Sequence, residues 1–89
     1  MTPLDQVRAL MRSVLTGDDS AETAAELEGE LLTHFLNTAL YDEIGDDLAL
    51  YNPSGGDNYL DAHELRARLA ATFNRLDELA KRPSAHPRP

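Results

Sequence analysis

Residues 24–40 decide the fold: Ala24-Ala25-Glu26-Leu27-Glu28-Gly29-Glu30-Leu31-Leu32-Thr33-His34-Phe35-Leu36-Asn37-Thr38-Ala39-Leu40. Ala24, Leu27, Leu31 and Phe35 recur at steps of three and four, the period of an α-helix and not of a strand. Leu32, Leu36, Ala39 and Leu40 widen the apolar face, which predicts a central helix packed on two neighbours. The helix is expected over residues 21–40. Asp19 or Ser20 is placed to cap it, with Glu22 in reach of the reciprocal bond if Asp19 is the cap. Gly29 inside it costs about 1 kcal/mol relative to alanine, so close approach by another backbone is expected there. Glu22, Glu26, Glu28 and Glu30 fall in its first half, where the helix dipole favours anions.

Upstream, Thr2-Pro3-Leu4-Asp5 reads as an N-cap, a proline at the first helical position and an acid at the third. Leu4, Val7, Leu10, Met11, Val14 and Leu15 continue as an amphipathic stripe. Gly17 is placed to end that helix in the left-handed region. Downstream, the pattern breaks from Tyr41 to Asn58, with Asp46-Asp47-Leu48-Ala49-Leu50-Tyr51 predicting one short helical turn. Residues 52–58 form a turn cluster of Asn, Pro, Ser, Gly and Asp. A last helix is expected from Tyr59 or Leu60, capped by Asp57 or Asn58, with Leu65, Leu69, Phe73, Leu76 and Leu79 as its buried seam. The expectation is all-α: a small bundle of three long helices and one short helix. It forms a single helical domain over residues 1–82, followed by a disordered proline-rich tail over residues 83–89.

Charge is distributed unevenly along this frame. Between Ser13 and Leu65 stand thirteen acids and no Lys or Arg, whereas residues 66–89 sum to +4 within a formal net charge of −8. A negative field of that density steers basic partners or collects cations, and it repels nucleic acid and anionic membranes. The 89 residues contain no cysteine, so disulfides and thiolate metal sites are excluded. No apolar run approaches a membrane span and no signal-peptide layout opens the chain, so a cytoplasmic protein is expected.

Catalytic signatures are absent. His34 and His63 lie far apart, with no nucleophile motif around either, and no glycine-rich phosphate loop precedes a helix. Glu26, Glu30 and His34 share a helix face at four-residue steps, a spacing that matches neither di-iron nor zinc-protease patterns and fits a solvated face. Tyr41, Tyr51 and Tyr59 cluster around the irregular segment beside acids. Tyrosines there either anchor a partner or pack the loop onto the bundle.

Three resemblances follow from particular residues. Asp57 to Leu65 resembles the second half of an EF-hand loop with its exit helix. That likeness implies Ca²⁺ ligands at Asp57, Tyr59 (through its carbonyl), Asp61 and Glu64, although Pro53 and Gly55 stand where the first carboxylates belong. Leu60 to Leu69, preceded by Glu43 to Asp47, is similar to the loop and second helix of acyl carrier proteins. Tyr59 stands where that family has its modified serine, which implies at most a carrier-like accessory subunit without activity. The third likeness covers most of the chain. Leu31-Leu32-Thr33-His34-Phe35, then Asp47-Leu48-Ala49-Leu50-Tyr51-Asn52-Pro53 and Gly56-Asp57, resemble the second and third helices of colicin and pyocin DNase immunity proteins. That resemblance implies a stoichiometric inhibitor of a nuclease. Asp19, Glu22, Glu26 and Glu30 would choose the partner, and Asp47 and Tyr51 would anchor it.

The reading that combines charge and resemblance is a non-enzymatic acidic module, a monomer or homodimer needing no cofactor. It masks a basic protein through Asp19, Glu22, Glu26, Glu30, Tyr41, Asp47 and Tyr51. The alternatives are a Ca²⁺-responsive module at Asp57, Tyr59, Asp61 and Glu64, or the carrier-like subunit.

Overall fold

The structure is a computed structural model and describes residues 2–18, 20–52 and 60–85. Five helices account for its regular structure: α1 (Pro3–Leu15), α2 (Ala21–His34), α3 (Ala39–Leu50), α4 (Ala62–Phe73) and α5 (Leu76–Lys81). Only two isolated β-bridges accompany them among the described residues, so the fold is an all-α bundle. α1 packs on α2, α2 on α3, and α3 on α4 and α5, which close back onto α1. No helix among the described residues is long and apolar enough to cross a membrane.

α1 follows its sequence closely. The Asp5 N–H donates to Thr2 Oγ1 at 3.1 Å while the Thr2 N–H donates to Asp5 Oδ2 at 3.3 Å, a reciprocal capping box. The backbone bond from Thr2 and the hydroxyl bond hold the Asp5 carboxyl below its ordinary range. Gly17 ends the helix at φ 121°, a conformation that only glycine adopts without strain. Val7, Leu10, Met11 and Val14 are buried, and Leu4 and Leu15 pack at the core's margin.

α2 is shorter than expected. Ser20 is its N-cap, accepting from the Thr23 N–H at 3.2 Å, and the helix stops at His34. Phe35 leaves the helix at ψ 18°, and Thr38 turns its hydroxyl back to the Phe35 carbonyl at 2.7 Å. Thr38 and Asn37 are side chains that compete for backbone groups, and here that competition ends the helix although the apolar period runs on unbroken. Leu32, expected on the core face, is 46% exposed, and Leu36 falls beyond the helix end.

The remaining residues through Leu40 open α3 instead, and the expected single turn at Asp46–Tyr51 is the second half of this twelve-residue helix. Leu40, Ile44 and Leu48 form its buried seam. The last expected helix is two: Asn74 and Arg75 form a turn, with the Arg75 N–H bonded to the Thr72 carbonyl at 2.9 Å, and α5 restarts at Leu76. The bend still buries Leu76 and Leu79. α4 starts later than expected, because its N-cap is Asp61, accepting from the Glu64 N–H at 2.9 Å. Asp57, Asn58 and Tyr59 lie outside the described residues.

Thr38 gives α3 no side-chain cap. The caps come from the other end of the chain. The Ala39 N–H donates to the Arg82 carbonyl at 2.8 Å, and the Ser84 N–H donates to the Asn37 carbonyl at 2.9 Å. The Ser84 hydroxyl lies 2.7 and 2.9 Å from the two Asp42 carboxylate oxygens, and the Ala85 N–H donates to Asp42 Oδ2 at 2.9 Å. Pro83, Ser84 and Ala85, expected in the tail, are therefore held against the start of α3; residues 86–89 lie outside the described residues. Ser84→Ala removes a hydroxyl bond to a charged acceptor and is expected to cost about 1–2 kcal/mol. Thermal melting by circular dichroism would read this as a fall of roughly 5–10 °C. An unchanged midpoint would mean that the strap contributes nothing.

Two glycines separate by their surroundings. A Cβ on Gly29 would meet nothing within 4 Å, so the close approach expected there does not exist. A Cβ on Gly45 would lie 2.7–2.8 Å from three ring atoms of Tyr41, which sits one turn earlier and packs against the core. Gly29→Ala is expected to stabilise by about 1 kcal/mol through helix propensity alone. Gly45→Ala gains the same propensity but must displace the ring, at an overpacking cost of about 1–3 kcal/mol, so its net effect runs from neutral to about 2 kcal/mol of loss. Denaturant midpoints moving in the same direction for both variants would contradict the packing of Tyr41 on Gly45.

Candidate protein-binding surface

The positive charges are mostly spent within the molecule. Arg8 Nη2 lies 2.6 Å from Asp77 Oδ1 and ties α1 to α5. The Arg12 guanidinium sits 5.9 Å from the Phe73 ring centroid, a cation–π distance. Arg68 Nη1 lies 3.5 Å from Asp47 Oδ1, linking α4 to α3. Arg75 and Arg82 both pair with Glu78.

The acids of α2 and α3 are left differently. Glu22, Glu26 and Glu28 on α2, Glu43 and Asp46 on α3, and Glu64 on α4 have no hydrogen-bond or ion-pair partner for their carboxylates among the described residues. Glu30 meets only His34, at 3.8 Å. Asp18 is held by its own loop: the Thr23 hydroxyl first and the Ser20 hydroxyl second lower its carboxyl below the ordinary range. The exposed face of α2 and α3 is thus negative with little internal neutralisation.

Each of these helices also carries one exposed leucine. Leu32 is 46% and Leu50 47% exposed, and each follows an unpaired acid by one helical turn, Glu28 and Asp46 respectively. An acidic field with isolated apolar contacts matches the mixed composition of non-obligate interfaces.

The expected site residues fall into groups. Glu22, Glu26 and Glu30 share one stripe of α2, and Asp47 lies on α3 toward α4. Tyr41 and Tyr51 are half-buried and pack against the core, so each offers an edge rather than a whole ring. Asp19 lies outside the described residues, as do Asp57 and Tyr59 of the Ca²⁺ alternative. Asp61 serves as a helix cap, and among the described residues no three acids or histidines converge on a metal-sized site.

Two grooves indent the surface. One, about 280 Å³, lies between the start of α1 and the end of α2 and is lined by Thr2, Pro3, Gln6, Glu30 and His34. The other, about 210 Å³, lies between α3 and α4 and is lined by Glu43, Asp47, Arg68, Ala71 and Thr72. Asp47 is only 16% exposed in its side chain. Burial raises its carboxyl above the ordinary range, Arg68 opposes that, and Asp46 and Glu43 add to it.

Sequence reasoning missed Glu43, Arg68 and Thr72 as members of one site. The signal available was the four-residue spacing of Glu43 and Asp47, which has meaning only if α3 is helical from Ala39. The chain matches no protein-family model, no curated protein and no solved structure.

Proposed function

We propose that this protein is a non-catalytic acidic module that binds and masks a basic protein, in the manner of a stoichiometric inhibitor. The observation that carries the reading is the segregation of charge. Arginines of α1 and α5 and Arg68 of α4 are engaged internally, while Glu22, Glu26 and Glu28 of α2 and Glu43 and Asp46 of α3 carry no cation among the described residues. Leaving such a face unneutralised opposes compactness through self-repulsion. It speeds capture of a positively charged partner and disfavours anionic ones. Leu32 and Leu50 supply apolar contact on the same helices. Glu22, Glu26 and Glu30 are the residues that choose the partner. A nuclease, whose own active surface must be basic to hold nucleic acid, fits this chemistry.

The test is affinity capture from the native host's lysate with the wild-type chain and with Glu26→Lys/Glu30→Lys, at low salt and at about 0.5 M salt, where the Debye length falls to a few ångströms. A basic protein retained by wild type at low salt, and lost both from the variant and at high salt, supports the reading. The same protein retained equally by both chains contradicts it.

A further inference from the structure

The groove between α3 and α4 has three properties that do not follow from an acidic surface alone. Asp47 is mostly buried yet accepts no hydrogen bond among the described residues; its one partner is Arg68 at 3.5 Å. That distance exceeds the ~2.7–2.9 Å of a charge-assisted hydrogen bond, and the Arg68 side chain is 53% exposed. Thr72 is 6% exposed, and its hydroxyl has no hydrogen-bond partner. That hydroxyl is not sealed inside the protein, and Thr72 lines the groove. The Asp47 and Thr72 side chains both line the same opening.

The space selects the size of the occupant. At about 210 Å³ the groove is smaller than the ~300–1,000 Å³ of small-molecule sites and suits one side chain. Two carboxylates on successive turns of α3 face one guanidinium, so the groove is short of positive charge. An arginine carries five N–H donors in a flat fork and can address both carboxylates and a hydroxyl at once. A lysine ammonium is a compact point charge with three.

Building on the reading that the protein masks a basic partner, we propose that this groove seats an arginine side chain of that partner. Its guanidinium lies between Glu43 and Asp47, with the Thr72 hydroxyl as a further acceptor and Ala71 as the apolar wall. Arg68 is then an internal competitor at the rim, displaced outward when the partner's arginine enters.

The test uses the full chain, ¹⁵N-labelled, titrated at low ionic strength with N-acetyl-argininamide and, separately, N-acetyl-lysinamide. The arginine compound is expected to shift the amides of Glu43, Asp47, Ala71 and Thr72 in a saturable way, and to bind roughly tenfold more tightly than the lysine compound. Asp47→Asn weakens it by roughly tenfold or more, and Arg68→Gln strengthens it several-fold by removing the competitor. Arg68→Gln keeps the proposal testable should Asp47→Asn fail to fold. Shifts that centre on Glu22 and Glu26, or weaker binding in Arg68→Gln, overturn it. If the groove stays silent while Glu26→Lys/Glu30→Lys abolishes capture, the groove assignment fails and the masking function stands. If the groove responds and capture is unaffected by that variant, the α2 assignment fails instead.

Discussion

Ile44→Ala is expected to cost about 3 kcal/mol, and with it roughly 12–24 °C of melting temperature. Ile44 is fully buried, on the helix that contacts α2, α4 and α5 together. Truncation there leaves a cavity that a helix held by three neighbours relaxes into only partially. Total stability for a chain of this size is about 4–13 kcal/mol, so the variant loses a large share of it. Leu50→Ala, on the same helix but 47% exposed, is the control and should stay within about 0.5 kcal/mol of wild type. Chemical denaturation of the two variants decides the matter. Equal, small effects would mean that residues 39–50 are not a packed helix.

Glu26→Lys/Glu30→Lys should slow association with the retained basic protein by roughly tenfold to a hundredfold at low salt. At about 0.5 M salt the difference should shrink to a few-fold, because screening then acts over a few ångströms. Dissociation should change much less, since rim charges act mainly on encounter. The variant should fold normally. The lost His34–Glu30 contact is a partly exposed pair at 3.8 Å, and Glu26 has no partner among the described residues to lose. Stopped-flow kinetics across a salt series reads this directly. A rate deficit that persists unchanged at high salt would point to lost contact and not to a lost field.

The all-α class, both ends of α1, a cap for α2 at Asp19 or Ser20 (it is Ser20), and the last seam at Leu65, Leu69, Leu76 and Leu79, though not at the half-buried Phe73, are written in local spacing and capping chemistry, which act within a few residues. What was not legible depends on distant partners. The apolar period passes through Phe35–Thr38 without a gap, and α3 takes its first backbone partner from Arg82. No window of neighbouring residues contains that information. Gly29 and Gly45 look alike in sequence, and only the position of the Tyr41 ring distinguishes them. The α3–α4 groove was hidden for the same reason. With the helical turn expected only from Asp46, Glu43 and Asp47 shared no face.

The strap also bears on how the chain is made. Proteins are synthesised from the N-terminus at about 5–20 residues per second. α3 is therefore synthesised seconds before the carbonyl of Arg82 and the hydroxyl of Ser84 that complete its first turn. α5, which docks on both α1 and α3, comes late as well. Folding cannot proceed one helix at a time in chain order, because the start of α3 is completed by residues more than forty positions downstream of it. A nascent chain ending at Lys81 holds the sequence of every helix and still lacks the capped start of α3.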